Sequence, residues 1–504
     1  MKSTPEFVTV TVNGEKRSIA RGTRLSELLD LALPCGGHGK CGKCKVIATG
    51  ELSPLSDSEK RALSAEELAA GVRLACHTTV EGKCAVSLMT VPTLKNKILT
   101  DATGKISADD PAFSRYGAAI DIGTTTLAAK LYDTKGDCLA EYGCMNPQSQ
   151  WGADVISRIE ASMRGEDKEL AEAICHAIDE ILFALAASAG IDAKEIDAAV
   201  LTGNTAMLHL LTATSTEPLS HAPFLAKRLF DETLSAASLG LSALSPDAEV
   251  YLPSCISAFV GADMVCAILA SDICNADSTA LLADIGTNGE MGLWHKGNLT
   301  VCSTAAGPAF EGVGISMGMS GATGAIDRVT LDGNALQAHV IGEGEARGIC
   351  GSGLVDAVAC LLQNEELDET GYLEDDPATV LAPVVLTQQD IRMVQLAKSA
   401  ICAGLCTLLE NAKADADSVS ALYVAGGFGS YLNMQSAGQI GLIPQALTDR
   451  VRVIGNAALT GAAMLLLDRS LRDNTARLAK SASVSDLASS PVFSELYMNG
   501  MMFE

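Results

Sequence analysis

The sequence predicts a multidomain α/β protein in which a small cysteine-bearing β domain precedes a larger body built from two similar halves. Two observations carry that reading. Cys35, Cys41 and Cys44 stand with five and then two residues between them in a glycine-rich loop, and Cys76 follows farther along. Beyond this region the tetrapeptide Asp-Ile-Gly-Thr occurs twice, beginning at Asp121 and at Asp284, 163 residues apart. A chain of 504 residues has room for about two to four domains.

Bulk composition narrows the function classes. Hydrophobic residues make up 48% and charged residues 19%, a globular balance, and the formal net charge is −25. A surface that acidic repels phosphate backbones, which argues against a nucleic-acid partner. The N-terminus has no basic, apolar leader, and no uninterrupted apolar run is long enough to span a bilayer. The sixteen cysteines then read as reduced thiols in a cytoplasm, away from membranes.

The loop from Pro34 to Cys44 is the sharpest local signal. Thiolates at this spacing, with one distant partner, are how a chain wraps a 2Fe-2S cluster. Cluster sulfides carry negative charge, and Gly36, Gly37, Gly39 and Gly42 let the loop turn its N–H groups toward them. Structural zinc favours closely paired cysteines, and the gap from Cys35 to Cys41 is long for that. Buried thiols would not sit in a run of glycines. The expected ligands are Cys35, Cys41, Cys44 and Cys76. His38 and Lys40 are expected to face solvent, and Cys84, in an alternating strand with Val86 and Leu88, to lie in the core.

Around the loop, residues 7–12 alternate and continue through the Asn13-Gly14 turn to residues 17–19, a hairpin pattern. Residues 23–31 read as a helix with Thr23 as N-cap and Leu25, Leu28 and Leu29 on one face. Residues 45–48 read as a strand and 58–70 as a polar helix, and Arg73 to Cys76 delivers the last ligand. Residues 1–92 thus resemble a β-grasp ferredoxin domain, with the five-residue first gap similar to the adrenodoxin-like branch. Residues 93–115 show no clear period and read as a linker.

The repeated tetrapeptide sits between buried strands. Ala118 to Ile122 and Leu281 to Ile285 are apolar runs ending in Gly123-Thr124-Thr125-Thr126 and Gly286-Thr287-Asn288-Gly289. Each turn offers backbone N–H groups and hydroxyls to a phosphate, and Asp121 and Asp284 can each hold Mg²⁺ directly or through water. Two like lobes can close on a nucleotide between them. The chain from Ala421 to Tyr431 is a strand running into Gly426-Gly427-Phe428, where glycines permit close approach to a nucleoside. No P-loop motif occurs.

These hairpins resemble the two phosphate motifs, and the Gly-Gly turn the adenosine motif, of the duplicated actin-like, sugar-kinase-like and heat-shock ATPase fold. A ferredoxin domain fused to such an ATPase resembles the reductive activases of corrinoid proteins. The resemblance extends through Asn146-Pro147-Gln148, Gly203-Asn204-Thr205, Ala306 to Gly312, Gly348 to Gly353 and Ile440 to Pro444, nearly the whole chain. It implies a body of two parts, 116–205 and 206–504, that binds ATP and Mg²⁺ and places Asn204 in the nucleotide site. It implies reduction of an inactive Co(II) corrinoid protein of a methyltransferase system to Co(I), fed by a low-potential electron donor. A homodimer is among the assemblies the sequence allows. The stretch Met319 to Ala322 departs from the family, where an arginine is expected near Ser320.

Several residues admit plainer roles. Asp121 and Asp284 could cap turns, and Thr124, Thr125 and Thr126 could be ordinary strand residues. Glu290 reads equally as a surface charge or as the group that orients an attacking water. Asp263 reads equally as helix N-terminal charge. Asp154 and Arg158 suit a mutual ion pair. Gly351 to Gly353 reads as structural, and Cys402 and Cys406 as core thiols. Helices are expected at 167–189, 389–412 and, last, 459–471. Rival functions are a small-molecule kinase with an electron-carrying appendage, a nucleotide-dependent redox-sensing module, and an activator of a radical dehydratase. The last would carry its cluster on cysteines inside the ATPase fold, which suits this sequence poorly.

Overall fold

A computed structural model describes residues 7–12, 15–29, 37, 44–63, 65–88 and 106–503. The chain forms two compact units, residues 1–94 with 147–166, and residues 95–146 with 167–504.

In the first unit, β1 (Phe7–Val12), β2 (Glu15–Ala20), β3 (Lys45–Leu52), β4 (Val72–Leu74) and β5 (Val80–Leu88) form one sheet in the order β2-β1-β5-β3-β4. The β1–β5 pair is parallel and the others antiparallel, the β-grasp arrangement expected. Alternation puts Val10, Val12, Val46, Ala48, Val72, Leu74, Val80, Cys84 and Val86 in its core. The helix expected over 23–31 is only a single turn, Leu25–Glu27, without a side-chain cap. Its backbone is engaged elsewhere: Gly22 N donates to Val80 O, Leu25 N to Thr78 O, and Val80 N to Thr23 O. The Thr23 hydroxyl donates to Ala20 O instead of capping. The polar stretch is two short helices, Asp57–Ala62 and Ala65–Ala69, interrupted where Leu63 turns extended into the core. The first begins in a capping box between Ser56 and Glu59.

The second unit contains two sheets of the same design. In one, β6 (Tyr116–Ile122), β7 (Thr126–Asp133) and β8 (Cys138–Met145) form an antiparallel meander, β9 (Ile196–Gly203) lies parallel to β6, and β10 (Glu232–Ser235) and β11 (Glu249–Leu252) extend it in the order β10-β11-β9-β6-β7-β8. In the other, β12 (Thr279–Ile285), β13 (Gly289–His295) and β14 (Asn298–Thr304) repeat the meander, and Val419–Ala425 and then Val451–Gly455 continue it in parallel beside β12. The Asp-Ile-Gly-Thr segments therefore occupy equivalent turns, β6 to β7 and β12 to β13. Helices Ala262–Ser271 and Ala457–Leu467 pack together at close range. A Cβ at Gly461 would lie 2.1 Å from Cys266 O, so no larger residue fits without separating them.

Helix Asp167–Ala189 buries Leu170, Ile174, Ile178, Ile181 and Leu185 along one face and stops at Gly190, whose φ of +71° favours glycine. Helix Gln388–Ala412 is long and apolar enough to cross a membrane, yet Ile391, Val394, Ala397, Ile401, Leu405 and Leu408 are buried in the core. The helix expected over 459–471 spans Ala457–Leu467 and is not the last, for Ser470–Ser481 and Pro491–Asn499 follow. Residues 106–115 include an ordered strap on the body: Ala112 N donates to Leu466 O at 2.8 Å, Asp110 pairs with Arg469 at 3.0 Å, and Phe113 is buried against Gly117. Cys84 is a core thiol as expected, whereas Cys402 and Cys406 are only half-buried.

Candidate functional site

The two chemistries suggested by the sequence lie in different units. In the first, Cys35, Cys41, Gly36, Gly39, Gly42, His38 and Lys40 fall outside the described residues. Cys44 and Cys76 are both buried, with their sulfurs 3.2 Å apart. Their contact draws Cys44 down to about 6 despite burial, the direction a metal-ligating thiolate needs. Gly37 has φ +77°, and a Cβ there would lie 3.8 Å from Cys76 Cβ. This half of the thiol set fits a shared iron centre.

The turn that carries Cys76 is held on both sides by a carboxylate that sequence reasoning passed over. Glu59 is fully buried and accepts from Arg73 Nε at 2.8 Å, Ser56 N at 2.9 Å, Thr78 Oγ1 at 3.0 Å and Leu74 N at 3.3 Å. These bonds tie the helix start to both sides of the Cys76 turn. The only sequence signal was the Ser56–Glu59 capping pattern. Elsewhere in this unit, Asp154 caps its helix by accepting from Ser157 N, and the Arg158 guanidinium donates to Gly152 O, so both have local backbone partners in addition to their mutual attraction.

In the second unit the equivalent turns are built differently. At the first, Gly123 is required because a Cβ would lie 2.6 Å from Thr126 O. Asn146 Nδ2 donates to Gly123 O at 2.8 Å, and Asn204 Nδ2 to Thr124 Oγ1 at 3.1 Å while Asn204 Oδ1 caps helix Thr205–Leu211. At the second, Gly286 N donates to Asn288 O and Gly307 N to Thr287 O. The turns are joined by one residue: Glu311 accepts from Thr125 Oγ1 through Oε2 and from Thr287 Oγ1 through Oε1, both at 2.7 Å. Glu311 lies in the one-turn helix Ala309–Glu311. The neighbouring Phe310 stacks on Phe428 at 4.9 Å between centroids. Gly426, with φ +93°, lies against the second turn; a Cβ there would come 2.9 Å from Asp284 Oδ1. Gly427 beside it is exposed.

Four carboxyls influence one another behind these turns. Burial raises Asp121 to about 7; Asn456 Nδ2, donating to it at 3.1 Å, opposes the shift and the charge of Asp284 adds to it. Burial, then Asp121 and Asp284, raise Asp263 to about 8. Burial raises Asp284 to about 6. Glu290, opposite Asp284 across the β12–β13 pair, is pushed well above the carboxylate range by burial and by Asp263 and Asp284. Glu290 is buried, and its Oε1 has no hydrogen-bond partner among the described residues, so the surface-charge reading of Glu290 is incorrect. Among the described residues no three His, Cys, Asp or Glu side chains converge to hold a metal directly. Desolvated carboxyls of this kind instead fit a cation held largely through water and phosphate oxygens.

Thus Asp121, Asp284, Glu290, Thr124, Thr125, Thr287, Asn204 and Gly426 belong to one connected region. Thr126 closes the first turn, with its carbonyl against Gly123, and begins β7. Asp263 enters this region as a full member, and Glu311 and Asn456 were not anticipated. Gly351 is structural as expected: a Cβ there would lie 2.0 Å from Phe310 O. A separate cavity of about 500 Å³, lined by Glu172, Cys175, Asp179, Leu211, Arg228 and Leu239, shares none of these residues.

Comparison with known proteins finds relatives of each part of the chain. Residues 278–504 match the family described as the C-terminal domain of RACo, the ASKHA domain; residues 116–276 match the RACo middle region; residues 3–81 match the 2Fe-2S iron-sulfur cluster binding domain. The chain is 34% identical over 419 residues to the corrinoid activation enzyme RamQ of Eubacterium limosum, covering 77% of this chain and 70% of that protein. It is 26% identical over 418 residues to the Co(II) methylated amine-specific corrinoid protein reductase of Methanosarcina barkeri, covering 76% of each. A solved structure of a reductive activator for corrinoid, iron-sulfur protein is similar with a TM-score of 0.72, at 26% identity and 98% coverage of both chains.

Proposed function

Because the chain belongs to the RACo family of reductive activators of corrinoid proteins, we propose that it couples ATP hydrolysis to reduction of an inactive Co(II) corrinoid protein to Co(I). The observation that carries this reading is the union in one chain of a cysteine-bearing β-grasp domain with two threonine turns bridged in front of buried, unneutralised carboxyls.

A 2Fe-2S cluster on Cys35, Cys41, Cys44 and Cys76 supplies one-electron transfer, at about −400 mV if it behaves as a plant-type centre. Glu59 and Arg73 keep the Cys76 turn in place. Asp121 and Asp284 are the carboxylates for Mg²⁺, which keeps several waters and takes few protein ligands beside substrate phosphates. The turns at Gly123 to Thr126 and Gly286 to Gly289 present N–H groups and hydroxyls to phosphate. Asn204 orients the first turn, and Gly426, Gly427 and Phe428 face the nucleoside. Asp263 and Glu290 raise each other's affinity for protons, and with Mg²⁺ beside Asp121 and Asp284 to offset that crowding, one of them would be the carboxylate that receives a proton from an attacking water.

The chemical reason for an ATPase is the direction of the electron. The Co(II)/Co(I) couple implied by the family lies below the cluster, and each 100 mV of gap costs about 2.3 kcal/mol for one electron. Nucleotide binding helps only by favouring a state in which the acceptor is easier to reduce or the electron cannot return. The partner is then a corrinoid protein of a methyltransferase system and the donor a low-potential carrier, in a cytoplasmic setting. The deciding experiment is an optical titration of Co(II) corrinoid protein with reductant and this protein, with ATP present or withheld. Co(I) formed equally well in both arms would overturn the reading.

A further inference from the structure

Glu311 takes both hydroxyl protons of the two threonine turns, Thr125 at 2.7 Å and Thr287 at 2.7 Å. A hydroxyl has one proton to donate. Carboxylate and phosphate are both acceptors only, so the two cannot take the same threonine proton at once. They also repel each other at short range. The residue before Glu311 is tied to the other end of the region, because Phe310 stacks on Phe428 of the Gly-Gly turn. The intervening turn is fixed behind them: Gly312 has φ +80°, and a Cβ on it would lie 2.6 Å from Met319 N.

We propose that Glu311 is the residue that sets nucleotide affinity, competing with phosphate for the hydroxyls of Thr125 and Thr287, so that binding of a nucleoside di- or triphosphate is coupled to release of the link between the two turns. This rests on the nucleotide reading given above. Glu311 is a positioning residue: its part is to hold the two turns together until phosphate replaces it. Phe310 ties the same short helix to the nucleoside side, so the two ends of one ligand act on one element.

The test is calorimetric titration of ADP, with Mg²⁺, into the full-length protein and its variants. Glu311→Ala is expected to tighten ADP binding about tenfold, and Glu311→Gln, which keeps the size and removes the charge, about threefold, on the scale where one charge-assisted hydrogen bond is a tenfold effect. In a Thr125→Val, Thr287→Val background the Glu311→Ala gain should shrink to what relief of charge repulsion alone gives, because the contested protons are gone. If Glu311→Ala does not fold, Glu311→Gln decides. Unchanged or weaker ADP binding in the folded Glu311 variants, or a gain that is undiminished without the threonine hydroxyls, overturns the proposal. Wild-type protein that binds neither ADP nor ATP overturns instead the nucleotide reading on which it rests.

Discussion

Glu59 in the β-grasp domain and the carboxyls behind the threonine turns are all withdrawn from water, yet they shift in opposite directions. Burial works against the Glu59 charge, but Arg73 and the donors of Ser56 outweigh it and hold the group at about 2. Burial works the same way on Asp121, Asp263, Asp284 and Glu290, and there it wins. Among the described residues, none of the influences on Asp121 or Asp284 comes from a lysine or arginine; the one opposing them is the amide of Asn456. A buried carboxylate with its own cation is a joint of the fold. A group of carboxyls whose strongest neighbours are each other costs stability, and a cation arriving from outside relieves that cost.

The largest effect should come from breaking the joint. Glu59→Ala leaves Arg73 without its buried partner, and such a break costs about 3–5 kcal/mol. The Cys76 turn loses its anchor, so we expect the visible absorbance of the cluster to disappear while ATP hydrolysis by the other unit survives. Retention of a normal cluster spectrum in this variant would show that Glu59 does not hold the ligand turn.

The carboxyl group should behave oppositely. Asp121→Asn and Asp284→Asn each remove a charge that burial opposes. Each should lower Mg²⁺-dependent ATP hydrolysis on the order of 100-fold and leave the cluster spectrum unchanged. In metal-free buffer each should also raise the melting temperature, by roughly 1 °C for every kcal/mol relieved in a chain of this length. A stabilising loss-of-function change beside a destabilising Glu59 change would sharpen the contrast. Destabilisation by both would erase it.

A smaller effect follows from pH. Asp284, Asp121 and Asp263 hold their protons to about 6, 7 and 8 in the folded protein. The unfolded chain releases them near 4. The folded state therefore binds more protons across this window, and stability must fall as pH rises from about 4 through about 8. Glu59 has the reverse sign: its contribution is complete above the ordinary carboxylate range and is lost only as pH falls toward 2. Melting temperatures measured without divalent cations should decline from pH 5 to pH 8, and Mg²⁺ should flatten the decline.

Legibility in the sequence followed distance along the chain. Asp121 and Asp284 stood out because a short pattern recurs around each, and Cys44 and Cys76 because metal ligands keep fixed spacings. Glu311 lay within the stretch Ala306 to Gly312 that carries the resemblance, but nothing there marked its bridging role: its two threonine partners lie 186 and 24 residues away. Asn456 meets Asp121 across 335 residues. The one-turn helix at Leu25–Glu27 was overread for a related reason, since strand-like bonds to Thr78 and Val80 override a local helical pattern. Glu59 looked like one more polar residue on an exposed helix until folding placed Arg73 and Thr78 around it.

The smallest expected effect isolates the amide that opposes the carboxyl group. Asn456 does two things: its Oδ1 caps helix Ala457–Leu467 by accepting from Leu459 N at 2.8 Å, and its Nδ2 donates to Asp121 Oδ2 at 3.1 Å. Asn456→Ala loses both, and the cap alone is worth about 1 kcal/mol. Asn456→Ser keeps a capping oxygen but is too short to reach Asp121. At pH 5, where Asp121 is protonated in the folded protein, the serine variant should melt within about a degree of wild type, because a replaced cap changes stability by only tenths of a kcal/mol. At pH 8, with the aspartate charged and its donor removed, the same variant should fall behind, and Mg²⁺ should restore it. A deficit equal at both pH values would mean that Asn456 serves the helix alone, and that the carboxyls behind the turns are not opposed by it.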